Sequence, residues 1–197
     1  MIGIEQETTA ERLYTVDEFD DFRAQPENRN RLFELIDGEV FEKMPTEEHG
    51  MIALNVGSEF RTYGKQNKTG RAGVEVRHQA RKDNKNSRLP DVSFRLTSDK
   101  PIKKGSVSGM PDLAVEIKSP TDTINGMRET AAYYLANGSR LVWLIYPEHR
   151  LVEVYRPNED VEILNATQTL SGYDVMPGFE MPVVDVFTDP FAAEESE

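Results

Sequence analysis

Two rhythms of apolar residues run along the chain, and each predicts its own kind of element. Spacings of three and four mark helices; alternation, or a short β-branched run, marks strands. Val16, Phe19 and Phe22 make the first helical stripe, and Thr15 with Glu18 is placed as a capping box. A hairpin follows over 33–42, because Asp37-Gly38 between apolar runs favours a type I′ turn. Ile52, Val56, Phe60 and Tyr63 predict a helix over 47–63. Weak alternation over 73–80 and the run 89–94 read as strands, and a basic loop leads from there to Met110. The stretch 111–118 is the next strand, closed by Ser119-Pro120. Thr121, Asp122 and Thr123 offer caps for a helix over 124–136, which Asn137-Gly138 ends. A buried strand at 140–146, its hairpin partner at 151–155 and short strands near 161–164 and Val175 finish the sheet.

That order predicts a mixed β-sheet flanked by helices, an α/β (α+β) fold. One domain is expected over 13–187, with disordered segments at 1–12 and, acidic in character, at 188–197. The 197 residues suffice for one substantial core. No apolar run approaches the ~20 residues of a membrane span, and the start lacks the layout of a signal peptide. With no cysteine, disulfide frameworks and thiolate chemistry are excluded. The expected location is cytoplasmic, with no membrane partner.

Charge changes the picture. The net charge is −12, yet residues 61–104 hold thirteen Lys and Arg against four Asp and Glu, a local +9, leaving −21 elsewhere. Such a segment either steers a polyanion such as DNA to one face or is a solvated loop with scattered charge.

The strand over 111–118 carries charge where a buried strand should not. Ala114, Glu116 and Lys118 share one face and Val115 and Ile117 the other, so a carboxylate and an ammonium stand side by side. Placing them against a core costs several kcal/mol unless they pair or hold something. Asp112 lies about 13 Å from Glu116 along the strand, too far to share one ion. Asp91, after Pro90 at the head of another strand, can lie beside Glu116 if the strands are neighbours. Two adjacent carboxylates repel unless a cation neutralises them, and Lys118 can offset charge or orient a water. The set suits a hard divalent ion, a phosphodiester and an activated water. The bland reading is a structural Glu–Lys pair on a sheet face.

Asp91 followed by Glu116-Ile117-Lys118 resembles the PD-(D/E)XK signature of the restriction-endonuclease-like superfamily. More closely, the chain resembles the Uma-two endonuclease family, formerly a domain of unknown function. The matching pieces are the segment 33–39, His49 before a helix, the segment 89–92, the stretch 111–120, and 134–138 leading to 142–145. The resemblance implies an αβββαβ core with an extra N-terminal hairpin and C-terminal strands. It also implies Mg²⁺ dependence, with Mn²⁺ as substitute, DNA hydrolysis, and a loosely held homodimer. By that analogy Asp91, Glu116 and the Ile117 carbonyl hold the metal, Lys118 positions or activates the water, and Glu34 or Glu39 completes the shell. Many members carry a lysine on the helix where this chain has Thr130, so the lysine is expected from the strand instead. Each of Glu34 and Glu39 is otherwise a solvated hairpin acid. Asp112 reads as a strand-start cap or a partner behind the ligands. His49 reads as a phosphate or carboxylate contact or a plain helix-start residue, and Tyr134 as a core tyrosine that can reach the site. The alternative function is a catalytically silent DNA-binding or protein-interaction module on the same fold.

Overall fold

A computed structural model describes residues 12–191. The expected disordered segment at 1–12 lies outside the described residues except for Arg12, and the acidic tail is described only to Phe191. Among the described residues no helix is long and apolar enough to cross a membrane.

The elements follow from local chemistry. Helix α1 (Val16–Ala24) starts at the Thr15–Glu18 capping box, both halves of which form. Strands β1 (Leu32–Ile36) and β2 (Glu39–Lys43) pair antiparallel around Asp37-Gly38, both at positive φ, as a type I′ turn requires. Helix α2 (Glu47–Asn67) runs four residues past Tyr63, through Gly64, and ends where Lys68 turns left-handed at φ 55°. Between Gly70 and Ser108 lie β3 (Gly70–Val74), β4 (His78–Gln79), β5 (Val92–Leu96) and β6 (Val107–Ser108). The single strand expected over 73–80 is thus two, interrupted where Glu75 takes φ 51°. Position 70 needs glycine, because a Cβ there would lie 2.6 Å from the Phe94 ring and from the Arg95 carbonyl. Strand β7 (Leu113–Ile117) is buried throughout. Helix α3 (Ile124–Ala136) starts at Thr123, whose hydroxyl accepts from Gly126 N–H. Strands β8 (Leu141–Tyr146), β9 (Leu151–Tyr155) and β10 (Glu162–Asn165) follow. The strand expected near Val175 is instead a turn between β11 (Thr169–Ser171) and β12 (Glu180–Pro182), before α4 (Val183–Val186).

Six strands form the central sheet in the order β10-β9-β8-β7-β5-β3. Only β7 and β8 run parallel, joined through α3; the other neighbours are antiparallel. The expected mixed sheet flanked by helices is therefore present, and α2-β3-β5-β7-α3-β8 follows the αβββαβ order. One face is covered by α2 and the C-terminal segment, with Phe60 edge-on to Phe94, Trp143 and Phe179 at its centre. The other lies under α3, through Met127, Ala131 and Tyr134. The β1–β2 hairpin packs with α1 through Phe19, Phe33 and Leu35 as a separate small core.

Candidate active site

Register brings the two sequence-distant acids together. Val92 pairs with Val115 across β5 and β7, so Asp91, one residue before β5, falls opposite Glu116. Directly opposed residues hold their Cβ atoms about 5 Å apart, and both acids are buried, Asp91 at 1% and Glu116 at 9% exposure. Two buried carboxylates in that position repel unless a cation lies between them.

The cation in place is Lys43. Its Nζ donates to Asp91 Oδ1 at 2.6 Å, to Glu116 Oε2 at 3.2 Å and to the Leu89 carbonyl at 3.0 Å. Lys43 ends β2, and it shares a hairpin face with Glu34 and Glu39 because Leu32 pairs with Lys43, Glu34 with Phe41 and Ile36 with Glu39.

Every other oxygen of the pair is tied by a fixed donor. Asp91 Oδ2 accepts from Ile117 N–H at 2.7 Å and lies 3.0 Å from His49 Nε2. Tyr134 OH donates to Glu116 Oε1 at 2.7 Å from within a fully buried ring position on α3. His49 is aimed by its place in the first turn of α2, where Thr46 caps the His49 N–H. Ile117 turns its N–H toward Asp91, and in an extended strand its carbonyl faces the same edge.

Electrostatics separate the acids. Burial pushes the Glu116 carboxyl up to about 8, and the Asp91 and Glu34 charges add to this against Lys43 and the Tyr134 hydroxyl. Burial would raise Asp91 too, but the Lys43 charge and His49 hold it below the ordinary carboxylate range. Glu34 is raised, first by burial, with Lys43 and Arg88 opposing. Lys43 is held protonated by Glu116, Asp91 and Glu34 in spite of its own burial.

The remaining residues singled out by the sequence lie as follows. Lys118 shares the Glu116 face, yet its Nζ donates to the Ser119 carbonyl at 3.2 Å and lies 3.7 Å from Glu148. Glu34 is half-buried beside the acid pair, whereas Glu39 is exposed near the turn and makes no hydrogen bond or ion pair to either acid. Asp112 caps the start of β7, its Oδ2 accepting from Leu96 N–H at 2.8 Å. His49 and Tyr134 each touch an acid of the pair. Lys43 is the side chain at the acid pair that the sequence reading missed. Alternation along β2 gives only its face, shared with Glu39 and cross-strand from the Glu34 side; the docking of that face beside the acid pair is set by packing between distant segments.

Among the described residues no three His, Asp or Glu side chains converge as a ready cation cage. Two carboxylates do offer one free oxygen each toward a single point, the one Lys43 Nζ holds. Mg²⁺ keeps most of its waters and needs only one or two carboxylates, so the donor set fits such an ion once the ammonium has moved.

The basic segment is divided. Arg77 is buried and paired with Asp20, and Arg88 is buried with its guanidinium 4.3 Å from the Tyr133 ring centroid. Arg71 and Arg95, by contrast, stand directly opposite each other on β3 and β5, on the face that carries Asp91. Neither has an acidic partner within ion-pair distance among the described residues.

A mixed sheet with a helix on each face and an acid pair on neighbouring central strands is matched by a nuclease fold among solved structures. Residues 18–184 match the Uma2 family, described as "Putative restriction endonuclease", and the chain belongs to that family. Among solved structures it is similar to one described as a putative nuclease belonging to DUF820, from Anabaena variabilis ATCC 29413. The two are 25% identical with a TM-score of 0.74, over 88% of this chain and 97% of that one. No curated protein matches the chain.

Proposed function

We propose that the protein is a divalent-metal-dependent endonuclease that hydrolyses DNA phosphodiester bonds. Asp91, Glu116 and the Ile117 carbonyl would hold Mg²⁺, or Mn²⁺ in its place. The observation that carries the reading is the convergence of Asp91 Oδ1 and Glu116 Oε2 on one cation position. Membership of a family described as "Putative restriction endonuclease" and the likeness to the Anabaena protein described as a putative nuclease support it.

A bound ion supplies Lewis-acid polarisation of the phosphoryl group and a more acidic water. The chain's own part is positioning. His49 and the Ile117 N–H fix Asp91, and Tyr134 fixes Glu116, so the two free oxygens keep their direction. Among the described residues Lys118 has one charged partner, the exposed Glu148 at 3.7 Å. Such a pair contributes little, which leaves the ammonium free to orient a water or offset charge on the phosphate. Glu34 is the hairpin acid that joins the site. Arg71 and Arg95, with Lys100, Lys103 and Lys104 exposed beyond them, supply the cationic surface for the DNA backbone. A homodimer would present two such sites to opposite strands.

One observation favours the silent module, namely that Lys43 already satisfies both acids. Nicking of supercoiled plasmid decides between the two. The nuclease reading expects cleavage that needs Mg²⁺ or Mn²⁺, stops with chelator and is lost in Asp91→Ala and Glu116→Ala. Equal cleavage by those variants, or none by the parent protein with either metal, sinks it.

A further inference from the structure

We propose that Lys43 is the resident counter-cation of the acid pair and competes with the divalent ion for the same two oxygens, so that it sets how readily the site takes up metal. This rests on the reading of Asp91 and Glu116 as metal ligands.

Of the four oxygens of the acid pair, only two are open to a cation. Glu116 Oε1 is taken by the Tyr134 hydroxyl, and Asp91 Oδ2 by Ile117 N–H and His49. That leaves Asp91 Oδ1 and Glu116 Oε2 as the open pair, and Lys43 Nζ holds both. An ion bound through those oxygens and the ammonium cannot occupy one point together.

Charge makes the exchange reasonable in both directions. With Glu34 alongside, the closed site sets three carboxyl groups against one ammonium. Without a cation the pair would be buried like charge, a costly state; with a dication the ammonium is surplus. Lys43 is also built to leave. It closes an edge strand, the next residue, Met44, is 80% exposed, and the Lys43 side chain keeps 20% of its surface in solvent. A flexible four-carbon stem can carry its head into water from there. Lys118 cannot fill the same role from where it stands, its Nζ being turned to Ser119 and Glu148.

The test is Mn²⁺ titration by calorimetry on the wild-type protein, Lys43→Met and Asp91→Ala, with reductive methylation of wild-type lysines read by mass spectrometry. Competition expects Lys43→Met to bind Mn²⁺ about tenfold or more tightly than wild type, and Asp91→Ala to bind least. It also expects Mn²⁺ to raise labelling of the Lys43 amine. Equal or weaker binding by Lys43→Met, beside clear binding by wild type, overturns the role of Lys43 and leaves the metal site standing. Absence of binding by both wild type and Lys43→Met overturns the metal reading itself. If Lys43→Met does not fold, wild-type labelling decides, and labelling of Lys43 unchanged by a Mn²⁺ level that saturates the calorimetric signal overturns the proposal.

Discussion

The hydrogen bond from Tyr134 to Glu116 allows a quantitative check on how the site is held. Tyr134 is fully buried, and its hydroxyl donates to Glu116 Oε1 at 2.7 Å, the sole hydrogen bond it makes among the described residues. Tyr134→Phe removes one oxygen and leaves the ring packed with Met127 and Ala131, so the transfer and cavity terms are small. What remains is an orphaned acceptor in a buried acid, which costs roughly 1–3 kcal/mol. Glu116→Ala creates the mirror defect, an orphaned phenol, and also strips Lys43 of one of its two carboxylates.

The double variant tests the reasoning, because removing both partners leaves neither orphaned. Tyr134→Phe/Glu116→Ala should be less destabilised than the sum of the single variants, by about 1–3 kcal/mol. Urea unfolding with chelator present, followed by circular dichroism and tryptophan fluorescence, measures this, since Trp143 is the lone tryptophan and lies at the core. Additivity to within ~0.5 kcal/mol would show that the two side chains do not support each other. A Tyr134→Phe variant as stable as the parent would show the same.

Two further outcomes rest on other residues. Burial, with the Arg95 charge adding to it, holds the His78 imidazole at about 4, below its ordinary ~6.5. Its Nδ1 donates to the Gly109 carbonyl at 3.0 Å, and Nε2, the atom that would take the proton, has no hydrogen-bond partner among the described residues. The unfolded chain therefore binds this proton first. The contribution is fully present above pH ~6.5 and is lost as pH falls through about 4, by roughly 3 kcal/mol. Unfolding midpoints measured from pH 7 to 4 should fall more steeply for wild type than for His78→Gln, and parallel profiles would refute this. Arg71→Gln/Arg95→Gln should weaken DNA binding and lower the slope of log affinity against log salt by up to ~2. Fluorescence anisotropy with a labelled duplex reads both, and an unchanged slope would mean that this pair touches no phosphate.

The parts of the site legible in the sequence are those that strand periodicity and local chemistry determine. Glu116 stood out because a carboxylate in a β-branched run contradicts its surroundings. Asp91 followed because a partner for it had to come from a neighbouring strand, and the β5–β7 register supplies that neighbour. Capping at Thr15 and Thr123 and the turn at Asp37-Gly38 are decided within a few residues, and they form as expected. The two-residue strands β4 and β6 carry too few positions for any period to register, and their pairing joins segments nearly thirty residues apart.

Lys43 escaped for a different reason. Nothing within its own strand shows that the hairpin face will dock on the end of the sheet; that follows from the packing of α1 and the hairpin as one small core, with Ser87 bonded to Leu35. Acid-x-lysine spacing points instead to Lys118, whose Nζ is turned to the Ser119 carbonyl and Glu148, because spacing is silent about the rotamer. A lysine on a strand can direct its head several ångströms either way along its stem, so spacing alone cannot assign the ammonium. The distinction has a chemical consequence. An amine on β7 moves with the Glu116 carboxyl beside it, whereas one on a separately cored hairpin can leave the acids without disturbing β7. On the proposed reading, that independence would let the same two oxygens be neutralised by an ammonium in one state and be available to a divalent ion in another.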